Sequence, residues 1–270
     1  MSLQLSVRPL GQNPPVGWSI RSSRVLLLLV VAFLQACAAV PYKNPRDPME
    51  SWNRGVFSFN DTVDRAVVKP VATAYQKVLP QFIRTGISNF FNNIDDVWSV
   101  VNNALQLRGQ YTADSFGRVM VNSTMGIGGL FDIASEMGME RRSANFGLTL
   151  GTWGVGPGPF VVLPFLGLST LRDTLALPID RQGNVVNALE DVPTRDALVV
   201  LSVIDLRAGY LKAGDVIEGA ALDKYSFTRD AYLQRRRNQV YDGNPPDEDT
   251  SSIDYVPAAQ TPTELAATAQ

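Results

Sequence analysis

The single cysteine of this 270-residue sequence, Cys37, is the side chain whose surroundings most clearly indicate a chemistry. It closes the tetrapeptide Leu34-Gln35-Ala36-Cys37, which follows ten apolar residues, 25–34, and a flank that contains Arg21 and Arg24. A basic flank, a short apolar core and small residues beyond it form the layout of a secretory signal. The core is too short to span a bilayer permanently. We therefore interpret the tetrapeptide as a bacterial lipobox, a site of thiol acylation.

Cys37 thus predicts a membrane anchor and not a nucleophile. In bacterial lipoproteins the chain is cut before such a cysteine, and the attached acyl chains bind the bilayer by about 0.8 kcal/mol per buried methylene group. Residues 1–36 are then a signal peptide, and residues 37–46, with two prolines and no periodic apolar pattern, are a tether. The alternative is a free cysteine buried after a short core segment. This alternative would require the basic flank, the length of the apolar run and the small residues beside the cysteine to coincide.

The rest of the sequence contains no residue set that is typical of catalysis. There is no histidine, which removes the commonest general base and the commonest transition-metal ligand. The Gly-Lys-Ser or Gly-Lys-Thr of a P-loop is missing, and residues 167–171 lack the second glycine of a nucleophile elbow. We therefore expect a protein that is not an enzyme and that uses neither a cofactor nor a metal.

Charge and cysteine content narrow the choice of partner and of fold. From Cys37 onward the chain has 234 residues, 21 of them basic and 26 acidic, and this net charge of −5 argues against a nucleic-acid partner. One cysteine allows no intramolecular disulfide, so packing must hold the fold. Residues 242–270 carry six acids and no base among Pro, Ser, Thr and Ala, which predicts a disordered acidic tail.

Between tether and tail, residues 47–241 show the three- and four-residue apolar spacing of amphipathic helices. We predict a helix capped by Asp47 and ended by Lys69-Pro70, and a short successor ended by Pro80. Two or three helices should follow from Gln81. Further predictions are a helix ended by residues 126–129, a turn at 178–183, a helix at 193–211 and a last helix capped by Ser226.

For two of these helices, the sequence is compatible with two different environments. The stripe of large apolar residues after Gln81 either faces a core or lies among acyl chains at a membrane interface, and periodicity does not separate the two. The last helix carries a basic cluster that either meets phosphates or is simply solvated. That cluster consists of Arg229, Arg235, Arg236 and Arg237.

Residues 146–171 form an uncharged segment of twenty-six residues that contains six glycines and three prolines. Its prolines exclude one continuous helix. Irregular backbone at membrane depth is tolerated where it is buried in protein or lines a cavity, so we predict that this segment lines a passage. The alternative is a buried loop with two short strands. The residues predicted to form the path are Gly154, Gly156, Pro157, Gly158, Pro159 and Pro164.

Several sequence blocks resemble the MlaA family, also called VacJ, of outer-membrane lipoproteins. The blocks include Asp47-Pro48-x-Glu50-x-x-Asn53-Arg54, Phe57-x-Phe59-Asn60, Lys69-Pro70-Val71-Ala72, Gly126-x-Gly128-Gly129, Gly147-Leu148-Thr149-Leu150-Gly151, Gly154-Val155-Gly156-Pro157-Gly158-Pro159, Thr170-Leu171-Arg172-Asp173 and Arg229-x-Ala231-Tyr232. Their order agrees from about Asp47 to Arg237.

The resemblance implies an all-α, ring-shaped bundle of amphipathic helices that is embedded in one leaflet of the outer membrane around a central channel. It implies a role in removing mislocalised phospholipids from the outer leaflet and passing them to a periplasmic lipid-carrier protein, beside an outer-membrane porin trimer. The competing hypotheses are a structural envelope lipoprotein that scaffolds partners without moving lipid, and a lipid-modifying enzyme.

The lipobox interpretation predicts the effect of Cys37→Ala. Because both processing and anchoring depend on the thiol, this variant should remain an uncleaved or mislocalised precursor. Membrane fractionation and intact-mass measurement provide the test. A variant still processed before residue 37 and still bound to the outer membrane would contradict the interpretation.

Overall fold

The computed structural model describes residues 46–247 and shows a mostly helical chain. Cys37, the predicted signal peptide and most of the predicted tether and tail lie outside these residues. The helices are α1 (Glu50–Val63), α2 (Lys69–Val78), α3 (Gln81–Leu105), α4 (Gly109–Thr124), α5 (Ile133–Glu136), α6 (Phe146–Thr152), α7 (Leu171–Gly183), α8 (Val192–Gly209), α9 (Leu211–Ala220) and α10 (Lys224–Val240). The predicted all-α class is confirmed apart from one small hairpin.

That hairpin interrupts the helices within the uncharged segment. Strand β1 (Phe160–Leu163) pairs antiparallel with β2 (Gly167–Thr170), in a register that sets Phe160 opposite Thr170 and Leu163 opposite Gly167. The prediction that residues 146–171 cannot form one helix is therefore confirmed. Within residues 46–247, no helix combines the length and the apolar character that crossing a membrane would require.

The first predicted helix boundaries are wrong, and the reason lies in tertiary contacts. Asp47 does not cap α1: Met49 occupies the N-cap position without a side-chain bond, and Asp47 is buried in a network of its own. Lys69-Pro70 does not end the helical run. A π-helical turn, Asp64–Val68, lets the Lys69 N–H reach the Asp64 carbonyl, so Pro70 falls at the start of a new register, where its missing N–H costs little.

Three later boundaries also differ from the predictions. Residues 81–105 form one helix and not two or three. The turn expected at residues 178–183 is absent, because α7 continues through Pro178. Tertiary bonds near both its ends, through Asp173 and Asp180, offset the proline penalty of about 3 kcal/mol. Asp223 and not Ser226 caps α10, accepting a bond from the Tyr225 N–H.

The packing of α3 shows that the interior of this protein is polar. Its buried residues recur at three- and four-residue spacing and are all polar: Asn93, Asp96, Ser99, Asn102 and Asn103. The apolar stripe on the same helix is not buried, and Phe82 at its start is 76% exposed. Across the described chain, buried polar residues outnumber buried apolar ones. The usual distribution of polarity in a soluble protein is therefore inverted.

A buried ion cluster joins α3 to α4 and to the segment after α4. The Arg118 side chain, 2% exposed, donates to Asp96 at 3.1 Å and to Asp132 at 3.0 Å. Arg141 donates to the other Asp96 oxygen at 2.8 Å, and the Ser135 hydroxyl accepts from Arg118 at 2.9 Å. Each charge in this cluster has an opposite charge within hydrogen-bond distance, which is the condition for burying it.

Apolar packing is confined to smaller clusters. The largest contains Val56 of α1, Phe160 and Val162 of β1, and Tyr225 of α10. A second joins Ala72 of α2 to Ala208 and Leu211 at the α8–α9 junction.

The ion cluster predicts a large effect of Arg118→Ala. Removal of the guanidinium leaves two carboxylates without their shared partner, so the free energy of unfolding should fall by about 3 kcal/mol or more. Denaturation of the detergent-solubilised full chain, followed by tryptophan fluorescence, measures it. The matched control is Arg195→Ala, which removes a partly exposed pair with Asp196 and should cost less than about 1 kcal/mol. Equal losses in the two variants would contradict this account.

Candidate functional site

Two asparagines of α1 fix the position of the hairpin. Asn53 donates to the Phe160 carbonyl at 3.0 Å and accepts from the Val162 N–H at 2.9 Å. Two helical turns later, Asn60 donates to the Leu163 carbonyl at 2.9 Å and accepts from the Phe165 N–H at 2.9 Å. Side-chain amides thus satisfy the free edge of β1 as a neighbouring strand would.

Asp47 connects this hairpin support to the last helix. One of its carboxylate oxygens accepts from Asn53 at 2.8 Å, and the other accepts from the Tyr225 hydroxyl at 2.5 Å and from Arg229 at 3.3 Å. Burial raises the pKa of Tyr225 far above its ordinary value, and the adjacent carboxylate raises it further. Tyr225 therefore stays a neutral donor, and α1, β1 and α10 meet at one buried carboxylate.

A second buried carboxylate, Asp173, lies at the start of α7. It accepts from Arg236 at 2.8 Å, from Arg172 at 3.1 Å and from the Tyr232 hydroxyl at 3.1 Å. Burial alone would raise the pKa of Asp173, but the bonds and charges of Arg236 and Arg172 together hold it below its usual range. Burial likewise raises the pKa of Tyr232 to about 12. Asp173 thereby ties α10 to the chain that follows the hairpin.

The six residues predicted to line a passage fall into two places. Residues 154–159 form the connection between α6 and β1, where the carbonyls of Pro157 and Pro159 accept the N–H groups of Arg172 at 3.1 Å and Leu171 at 2.9 Å. Pro164 lies at the other end of β1, in the hairpin turn. Residues 153–158 and 164–166 are exposed, so the segment contains the two strands of the alternative interpretation but is not a buried loop.

The three glycines of this connection differ in what they allow. Gly154 has φ +92° and Gly158 has φ +66°, a region that side-chain-bearing residues rarely adopt, and a Cβ on Gly158 would approach Leu171 at 3.1 Å. Gly156 has ordinary backbone geometry, and a Cβ there would meet nothing within 4 Å. Gly156 is therefore the position where a side chain can be added without strain.

Apolar side chains flank these exposed turns. Trp153 and Val155 lie beside the glycines, and Phe165 and Leu166 form the hairpin tip. Each of these side chains is about half exposed or more.

It was not predicted from the sequence that Asn53 and Asn60 support β1, or that Asp47 contacts the last helix. The two asparagines are seven residues apart, and this spacing, which places them on one face of a helix, was the available signal.

The basic cluster of α10 is divided by the fold. Arg229 and Arg236 are committed to Asp47 and Asp173, and Arg237 donates to the Pro246 carbonyl. Arg235 instead lines a groove of about 700 Å³ between α10, the α3–α4 junction and the segment before α6. None of the six predicted path residues lines this groove.

Comparison with known proteins identifies the group to which this architecture belongs. The sequence profile of the MlaA lipoprotein family matches residues 45–239. The chain belongs to the MlaA family. The resemblance inferred from the sequence blocks is therefore confirmed.

Individual MlaA-family relatives agree with the profile. The intermembrane phospholipid transport system lipoprotein MlaA of Escherichia coli is 34% identical over 215 residues, 77% of this chain and 85% of that protein. A protein of Rickettsia bellii is 35% identical over 197 residues, 72% of this chain and 76% of its own length. A solved structure that addresses maintenance of bacterial outer membrane lipid asymmetry matches with a TM-score of 0.64 at 34% identity, covering 73% of this chain and 99% of that one.

The amide supports of this MlaA-family chain predict a position-specific change in hydrogen exchange. Asn53→Ala should speed exchange of the Val162 amide, and Asn60→Ala that of the Phe165 amide, because each loses its acceptor. Asn89→Ala is the matched control, since Asn89 makes a single amide-to-carbonyl bond to Leu130, away from the hairpin. Unchanged exchange at both amides, or equal acceleration in the control, would show that the asparagines do not hold the hairpin.

Proposed function

We propose that this protein is an outer-membrane lipoprotein that removes mislocalised phospholipids from the outer leaflet through an amphipathic passage and passes them to a periplasmic carrier. The observation that carries the proposal is the inverted polarity of the fold. Polar side chains fill the contacts between helices, whereas large apolar side chains are exposed on α3, α8 and the loop tips. A surface of this kind suits lipid contact, since exposed apolar area costs about 25 cal/mol per Å² in water.

The order of helix contacts supports a ring around a passage. Helix α2 packs on α8, α8 on α3, α3 on α6, and α6 on α10. The N-terminal end of α10 returns to α1 through the ion pairs of Asp223 with Arg54 and of Lys224 with Asp61. The π-helical turn joins α1 to α2, so this circuit of contacts is closed. A closed circuit of this kind would enclose a passage that shields a phospholipid headgroup from hydrocarbon.

In this proposal, acylated Cys37 anchors the protein to the periplasmic side of the outer membrane. The anchor and the exposed apolar surface hold the protein in one leaflet. An outer-membrane porin trimer and a periplasmic lipid carrier are the proposed partners. Transport of this kind neither makes nor breaks a covalent bond, so in this proposal the protein is not an enzyme.

The names of two relatives support the same assignment. The Escherichia coli protein is named for intermembrane phospholipid transport, and the matched structure concerns outer-membrane lipid asymmetry. The alignments cover 85% of the Escherichia coli protein and 99% of the matched structure.

The proposed passage predicts the effect of Gly156→Leu. A bulky side chain beside the path should narrow it, so phospholipid should accumulate in the outer leaflet although the protein is present and anchored. The Cβ of a residue at this position has no atom within 4 Å, so the substitution should narrow the passage without disturbing the fold. The measurement is surface phospholipid in cells whose only copy is the variant, together with protein abundance.

Gly55→Leu is the matched control, since Gly55 is an exposed position in α1 with open space around it. It should leave lipid asymmetry unchanged. Gly158→Leu is a weaker test, because its positive φ and its contact with Leu171 would also strain the fold. Wild-type lipid asymmetry and porin association in Gly156→Leu would remove residues 154–159 from the passage.

A further inference from the structure

The groove of about 700 Å³ has the size of a ligand site and an unusual concentration of arginine. Four arginines line it, and Asp242 is the one acidic residue among the lining residues of this groove in the described chain. The polar side chains of the lining also include the neutral amides of Gln234, Asn238 and Gln239. The lining therefore combines an excess of positive charge with neutral donors, which suits an anion.

Two of the arginines are held in place by carboxylates, which fix their positions and offset part of their charge. Arg141 is committed to the buried Asp96. Arg108 donates to the Val240 carbonyl at 2.9 Å and to Asp242 at 3.1 Å. Both guanidinium groups are thereby fixed in the wall of the groove.

The ring of Tyr111 helps to bring two positive charges near each other. The Arg142 guanidinium carbon lies 5.1 Å from the ring centroid, and that of Arg108 lies 5.8 Å from it. Attraction to the ring offsets part of the repulsion between the two cations. Arg142 is otherwise paired with Glu140, but the two side chains are 46% and 70% exposed, so this pair is weak and can be exchanged for another anion.

Arg235 supplies the second available guanidinium. It lies on α10, is exposed and, in the part of the chain that the structure describes, makes no hydrogen bond or ion pair. An apolar strip formed by Ala144, Leu148 and Ala231 lies beside the charged lining. A ligand that joins an anionic group to aliphatic carbon would match both parts.

We propose that this groove binds the phosphate of a phospholipid headgroup, with Arg142 and Arg235 as donors and Arg108 as a fixed charge behind them. Guanidinium groups pair well with phosphate oxygens, and the apolar strip would contact the glycerol and the first acyl carbons. This inference rests on the proposed function and names the part of the transported lipid that the protein holds.

The test is calorimetric titration of the full-length protein in amphipol with dihexanoyl phosphatidylglycerol. The parallel titrants are inorganic phosphate and dihexanoylglycerol, which has the same chains without the phosphate. The double variant Arg142→Gln/Arg235→Gln should bind the phospholipid at least about tenfold more weakly. Arg142→Lys/Arg235→Lys should stay within about threefold of wild type, because lysine also binds phosphate as a point charge.

The control variant is Arg181→Gln/Arg195→Gln, which removes the same charge outside the groove and should change affinity less than about twofold, since distant charges are screened. Unchanged affinity in the Arg142/Arg235 glutamine variant would overturn the proposal. Equal binding of dihexanoylglycerol would overturn it too, because the phosphate would not be recognised. Inorganic phosphate bound as tightly as the lipid would assign the groove to free phosphate instead.

The same titrations separate this inference from the proposed function. If wild-type protein binds the phospholipid and the glutamine variant binds it equally well, the groove assignment fails and lipid transport stands. If wild-type protein neither binds the phospholipid nor retains any lipid through purification, the proposed function fails as well.

Discussion

Buried hydrogen bonds between polar side chains hold the helices of this protein together, because about half of the large apolar side chains in residues 46–247 are exposed and few are buried. In a lipid environment apolar burial gives helices little reason to associate, and polar contacts and close packing must supply it. Arg118 between Asp96 and Asp132 is the clearest case. Such a network stabilises the fold when its buried polar atoms have hydrogen-bond partners. In the described chain, Asn93 Oδ1 is the buried side-chain atom without one.

The same principle positions the uncharged segment. Its glycines and prolines leave β1 without a full set of backbone partners, and the amides of Asn53 and Asn60 supply them from α1. Asp47 and Asp173 then connect the two sides of the segment to α10. Four polar side chains thus fix a stretch of chain that has little regular structure of its own. The exposed turns at residues 153–158 and 164–166 are held from behind, which leaves their outer face free.

The sequence predicts the parts of this structure that depend on local patterns. Helical periodicity, the stop at Pro80 and the break in residues 146–171 follow from spacing and from backbone chemistry. The predicted boundaries are wrong at Asp47, Pro70 and Pro178. At these positions a buried contact, a π-helical turn and tertiary bonds of carboxylates, respectively, outweigh the local preference. Periodicity also does not show whether the polar face of an amphipathic helix meets water or other helices, because the sequence pattern is the same in both cases. The groove brings together residues from 103 to 243, and no local signal shows it.

The central claim is that a polar interior within an apolar exterior serves to move phospholipid. The most direct measurement is native mass spectrometry of the lipidated protein released from outer membranes, with fragmentation of whatever ligand stays bound. This account predicts bound phospholipid at about one molecule per chain, retained after exchange into a detergent that strips lipid from an unrelated outer-membrane lipoprotein. Protein that is folded, anchored and free of phospholipid under those conditions would contradict the account.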